Sequence, residues 1–166
     1  MRERLDTARM TLRAFVDADA EELHGIFSDP AHVIGDGPHT DISATRDWIR
    51  RRDLRRSEHR VVWYAARLHT DGSLVGTAGL TVARTAPDPE IGFEIRRSVQ
   101  NQGLGREAAS AVVAEGLRAG FAQVWATVRP WNTPSLRALD AVGFTLERVE
   151  TDSRGELQFL VHMPAR

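Results

Sequence analysis

The run Gln100-Asn101-Gln102-Gly103-Leu104-Gly105-Arg106-Glu107-Ala108 follows an alternating apolar segment and opens a helical one. A chain written this way has to pass from strand to tight turn to helix N-terminus within a few residues. Its two glycines let the backbone bend and approach a ligand closely, and the unpaired amides of the helix's first turn point at whatever negative charge sits there. A phosphate-bearing ligand is the natural guest.

Three kinds of phosphate loop share this outline. A nucleoside-triphosphate loop needs Lys before Ser or Thr at the end of its glycine run, and this chain has no lysine: all 22 cations are Arg. A dinucleotide loop fits better locally, because Gly103-Leu104-Gly105-Arg106-Glu107-Ala108 matches G-x-G-x-x-G/A. That fold expects an acidic residue roughly 20 positions on, whereas the next strand, Gln123 to Val128, ends in Arg129. Too few residues follow Gly105 for the strands such a fold still requires. A loop that grips the pyrophosphate of coenzyme A needs neither feature.

At 166 residues the chain suits one domain, residues 1–166, with a proper core. The net charge of -1 gives no reason to expect direct nucleic-acid binding. Without cysteine there is no disulfide, thiolate metal site or cysteine nucleophile, and the six His residues show no metal-ligand spacing, so no metal is expected. The charged start, Met1-Arg2-Glu3-Arg4, reads as no secretory signal. No stretch approaches the roughly 20 apolar residues that span a bilayer, so the expected location is the cytoplasm, away from membranes.

Periodicity and punctuation predict strands over Met10–Phe15, Arg60–Leu68, Ser73–Val82, Glu90–Arg97, Gln123–Val128, Thr145–Glu150 and Glu156–Met163. Helices are predicted over Asp17–Ser28, Ser43–Arg56 (capped by Asp41 or Ser43), Gly103–Arg118 and Thr133–Val142. Asp71-Gly72 reads as a hairpin turn and Gly35–Pro38 as a loop. The sum is an α/β domain with a mixed sheet.

Gln100-x-x-Gly103-x-Gly105 resembles the Q/R-x-x-G-x-G/A signature of the GNAT family of N-acetyltransferases, and neighbouring segments fall in that family's order. Ala8 to Arg13 is similar to the opening of its ribosomal-protein N-terminal acetyltransferase branch (RimJ/RimL type), Glu90-Ile91-Gly92-Phe93 to its fourth strand, and Asn132-Thr133-Pro134-Ser135 with Gly143-Phe144 to its N-x-x-S and G-F motif. The resemblance implies a central, mostly antiparallel sheet of about seven strands flanked by about four helices. It also implies direct transfer of an acetyl group from acetyl-coenzyme A, as cosubstrate, to an amine.

On that resemblance the cofactor-binding residues are Gln100, Asn101, Gln102, Gly103, Leu104, Gly105 and Arg106 for the pyrophosphate. Phe93, Glu94 and Ile95 would pair their backbone with the pantetheine arm, and Asn132 and Ser135 would meet the arm and the sulfur. Glu90 is the first candidate for general base. Glu94 competes, since residues four apart share a strand face; either could instead sit on a solvated face or pair with an arginine. Many family members protonate the departing thiolate with a Tyr at the position that is Leu139 here, and the chain's single Tyr is Tyr64. The Ser135 hydroxyl resembles the branch's alternative, with a helix cap as its structural reading.

The implied acceptor is a protein or peptide N-terminal α-amine. The alternatives are a small amine (amino acid, polyamine or aminoglycoside) and, in another class, a non-catalytic acyl-coenzyme A sensor. Arg50 to Arg56 reads as a solvated helix face, or else as a surface for an acidic substrate or ribosomal RNA. His32 and His39 flank the glycine loop, with a substrate-shaping role as the functional reading. Trp48, Trp63, Trp125 and Trp131 read as core or rim aromatics, with Trp131 also a candidate wall of the cofactor groove. Phe159-Leu160-Val161 could serve a homodimer.

Overall fold

The computed structural model describes residues 1–32 and 37–164. The chain runs β1 (Arg4–Asp6), β2 (Met10–Ala14), α1 (Ala20–Phe27), α2 (Ile42–His59), β3 (Trp63–Leu68), β4 (Leu74–Thr81), β5 (Glu90–Ile95), α3 (Leu104–Arg118), β6 (Val124–Val128), α4 (Thr133–Asp140), β7 (Thr145–Asp152) and β8 (Gly155–His162). The eight strands make one sheet in the order β1-β2-β3-β4-β5-β6-β8-β7. All neighbours are antiparallel except β5 and β6, which α3 joins as a crossover.

The sheet is covered on both faces, so its central strand β4 is buried for almost its whole length. On one face α3 turns Leu104, Ala108, Ala109, Val112 and Val113 onto Leu80, Ile91, Ile95 and Val124. On the other, Leu23, Ile26 and Phe27 of α1 and Ile49 of α2 pack on Ala65 and Leu74. The longer helix α2 buries Thr45 and Ile49 among its 18 residues, leaving most of its arginine-rich surface outside the core.

Several boundaries differ from the sequence expectation. Strand β1 lies outside the expected set, because three residues with charged ends carry no readable period. The first helix is shorter at its start: Asp17–Asp19 forms a tight 3-10 turn, with Asp19 accepting from the Val16 amide. Asp41 rather than Ser43 caps α2, accepting from the Ser43 amide at 2.7 Å. The helix runs on to His59 and stops where Arg60 takes a left-handed conformation, φ 59°. The loop expected at Gly35–Pro38 lies partly outside the described residues.

Candidate active site

The parallel pair β5 and β6 touches at one register position, Glu90 opposite Trp125, and then parts. Backbone groups alternate in direction along a strand. The Arg96 amide donates to Val75 in β4, while the Pro89 carbonyl accepts from the Trp125 amide across the gap. Ile91, Phe93 and Ile95 therefore turn their backbone groups toward the opening, whereas Glu94 turns its own toward β4, which corrects the expectation that the Glu94 backbone pairs with the pantetheine arm. Ile95 is met there by Gln100, whose Nε2 donates to the Ile95 carbonyl at 2.8 Å. Among the described residues, no strand pairing covers the Phe93 backbone on that side.

Three cavities meet along this opening, and Phe93 borders all of them. The first, of about 540 Å³, runs from Phe93 over Gln100 to Arg106 and along α4. Gly103 caps α3 at φ 79° and Asn101 is also left-handed, φ 61°, which curls the loop around the helix's first turn. The first amide with an intrahelical acceptor is that of Glu107, bonded to the Gly103 carbonyl at 3.0 Å. The amides of Leu104, Gly105 and Arg106 are therefore left to an outside partner. Free amides, a positive helix end and an open groove suit a pyrophosphate.

The loop is held from behind by residues far away in sequence. Arg9 donates through Nη1 to the Gln102 carbonyl at 2.8 Å and through Nε to Glu107 at 2.7 Å. Glu107 also accepts from the Thr7 hydroxyl and the Arg9 amide. Burial pushes the Glu107 carboxyl up, but those hydrogen bonds outweigh it and hold the group below its ordinary value. The pairing neutralises a carboxylate that would otherwise sit close to an anion site. Arg9 and Glu107 carry no sequence signal for this role, since nothing local links residues 98 positions apart.

A second, smaller cavity of about 180 Å³ lies where the strands part, bounded by Phe93, Thr127, Trp131, Asn132, Ser135 and Leu139. The α4 cap is Asn132, whose Oδ1 accepts from the Ser135 amide at 3.4 Å, with Pro134 in the first turn. The cap reading of Ser135 is thus corrected: Ser135 is in the first turn, and it borders both this cavity and the loop groove. Leu139 is buried here at 1% exposure. Tyr64 lies far from the opening, donating to the Arg2 carbonyl at 2.7 Å, and burial raises its phenol above the ordinary value.

The third cavity, of about 480 Å³, opens on the α1–α2 side of the sheet. Glu90 and Glu94 both border it, as their shared strand face requires. Glu90 is 8% exposed; one carboxylate oxygen accepts from the Thr127 hydroxyl and the other, Oε2, has no hydrogen-bond partner among the described residues. Glu94 is bonded through Oε1 to Nδ1 of His32, whose ring packs on Phe27. His32 and His39 both border this cavity, as do Trp48 and Trp63, whose rings meet edge to face at 5.4 Å. Trp63 also roofs Gly92, where a Cβ would stand 2.5 Å from the indole.

One surface expectation is corrected. Phe159, Leu160 and Val161 are buried within the monomer, between β6 and β7, and present no contact face. The exposed apolar side chains of that edge are Leu146 and Val149 on β7. No helix among the described residues is long and apolar enough to cross a membrane.

The family model for the acetyltransferase (GNAT) domain matches residues 9–145, and the chain belongs to that family. It is 28% identical over 154 residues to the uncharacterized N-acetyltransferase p20 of Bacillus licheniformis, covering 90% of this chain and 86% of p20. To the uncharacterized N-acetyltransferase YoaA of Bacillus subtilis it is 30% identical over 149 residues, 87% and 84% of the two chains. Its fold is shared with the ribosomal L7/L12 α-N-protein acetyltransferase RimL in complex with coenzyme A. That match has a TM-score of 0.86 at 18% identity and covers 97% of this chain and 98% of the other.

Proposed function

We propose that this enzyme transfers the acetyl group of acetyl-coenzyme A to the α-amine of a protein or peptide N-terminus. The observation that carries the reading is the meeting of three cavities at Phe93: an anion-binding loop on one side, two carboxylates on another, and a hydroxyl between them. Bound acetyl-coenzyme A supplies an acyl carbon activated as a thioester. The chain's own groups do the rest.

The amides of Leu104 to Arg106 hold the pyrophosphate, and the Phe93 and Ile95 backbone with Asn132 aligns the arm. The Phe93 amide, facing the opening, donates to the carbonyl oxygen as it gains charge. Glu90 takes the amine's proton on Oε2 while Thr127 fixes its other oxygen. A carbon–nitrogen bond forms, the carbon–sulfur bond breaks, and Ser135 donates toward the departing sulfur. Glu94, tied to His32, is the second candidate for the base.

The Ser135 hydroxyl beside the opening and the fold shared with RimL support a protein acceptor. The test is incubation with acetyl-coenzyme A and a peptide with a free N-terminus, followed by mass spectrometry to locate the acetyl group. Acetylation at the α-amine is expected. Acetylation confined to side chains or to small amines would move the acceptor class.

A further inference from the structure

The arginine run of α2 is divided by helical geometry. Arg50 turns to Asp47, at 2.5 Å, and Arg56 to Glu3 and Asp53, at 2.9 and 3.4 Å. Arg51, Arg52 and Arg55 border the 480 Å³ cavity beside Glu90 and Glu94, although Arg55 also lies 3.7 Å from Glu58 on its own helix. Arg52 is held between two indoles, its guanidinium carbon 4.7 Å from the Trp48 centroid and 4.2 Å from that of Trp63. Arg84, from the turn after β4, and Arg154, from the β7–β8 turn, close the far wall.

Five arginines and two glutamates are thus the charged lining of a cavity in a chain whose net charge is -1. The other titratable groups facing it are His32 and His39. Among the described residues, neither Arg51 nor Arg84 has a carboxylate partner. The charges are also sorted by depth: Glu90 is buried on the sheet, whereas Arg51, Arg55, Arg84 and Arg154 are exposed. A ligand that fits this pattern carries a cationic head for the carboxylates and an anionic body for the arginines.

We propose that the acceptor is an anionic amine, a primary amine with carboxylate groups within a residue or two of it, as in a peptide that carries Asp or Glu near its N-terminus. The proposal rests on reading this cavity as the acceptor side of the acetyltransferase. It runs against a polyamine or an aminoglycoside, whose cations would face five guanidinium groups. Arginine suits the task, because its planar fork pairs with a carboxylate in two-pronged geometry.

The test compares acetyl-coenzyme A-dependent turnover of three peptides of equal length, carrying Asp/Glu, Ala or Lys at positions two to four, with free aspartate and glutamate as further arms. The expected order of kcat/KM is acidic, neutral, basic, with a spread of at least about tenfold, carried mostly by KM and shrinking as salt is raised. The double variant Arg51→Gln/Arg84→Gln should narrow the acidic-to-neutral ratio, and Arg84→Glu should narrow it further.

Equal turnover of acidic and neutral peptides at low salt, or preference for the Lys peptide, overturns the proposal while leaving the enzyme reading intact. Free aspartate or glutamate matching the acidic peptide supports the anionic class and makes its source a small molecule. Transfer to none of the acceptors overturns the acceptor-side reading itself, and this inference with it.

Discussion

Gly103 is the position where backbone geometry and cofactor binding are most tightly joined. Its φ is 79°, and a Cβ built there would meet only the Arg9 guanidinium, at 3.4 Å. Space in the free protein is therefore not the obstacle to a side chain; the left-handed backbone is. An L-residue in that region costs roughly 1–2 kcal/mol, and a β-branched one is the least tolerated. Gly103→Val should accordingly lose about 2 kcal/mol if the loop keeps its shape, which for a domain of this size lowers Tm by about 4–8 °C.

If the loop relaxes instead, the amides of Leu104 to Arg106 lose their aim and the loss appears in binding. The same loss of about 2 kcal/mol weakens acetyl-coenzyme A affinity by about thirtyfold. Asn visits the left-handed region readily, as Asn101 already does at 61°. Gly103→Asn should therefore recover most of what Val loses. Calorimetric titration with acetyl-coenzyme A, run beside thermal melts of all three proteins, reads both channels. Wild-type behaviour of the Val variant in both channels would refute the reasoning, and an Asn variant as impaired as Val would make side-chain volume the determinant rather than φ.

Ser135→Ala should lower kcat by about 10²-fold, the low end for a positioned proton donor, with little change in Tm because Asn132 is the cap. A fall in Tm with kcat intact would return Ser135 to a structural role. Glu90→Gln should cost more kcat than Glu94→Gln, measured with the same peptide at saturating acetyl-coenzyme A; the reverse ranking assigns the base to Glu94. Glu115 bears on stability alone. Hydrogen bonds from Arg118, opposed by burial and joined by the Arg2 amide and side chain, lower its carboxyl from 4.5 to about 2. The folded value is depressed, so the stabilisation is complete above about pH 4.5 and is lost as pH falls toward 2. Urea midpoints of wild type and Glu115→Gln should converge across that window, and a constant gap would contradict the assignment.

What the sequence made legible was what is local. Two glycines before a helical run announce a turn and a helix end, and the period of two puts Glu90 and Glu94 on one face of β5. The parting of β5 from β6 is not local, since it depends on where α3 returns the chain, and so the cleft became visible only in three dimensions. The same holds for Arg9, which reaches Gln102 and Glu107 from the far end of the chain, and for His32 on Glu94. Ser135 was readable as a cap because a hydroxyl can accept from a first-turn amide, as an Asn side chain also can; the backbone, not the residue type, assigns the cap to Asn132. Phe159 to Val161 looked like a contact face because a consecutive apolar run does not say whether its cover comes from the same chain. In β8 it does: Leu160 belongs to the main core, and the Arg148 guanidinium of β7 lies 3.9 Å from the Phe159 ring centroid.

The most direct test of the central claim is thiol release from acetyl-coenzyme A in the presence of one peptide with an acidic N-terminal segment, offered with its α-amine free and again with that amine blocked. Release that requires the free amine, and disappears when it is blocked, is the predicted result. Release that is equal for both, or absent for both although acetyl-coenzyme A raises the melting temperature, would contradict N-terminal acetyl transfer.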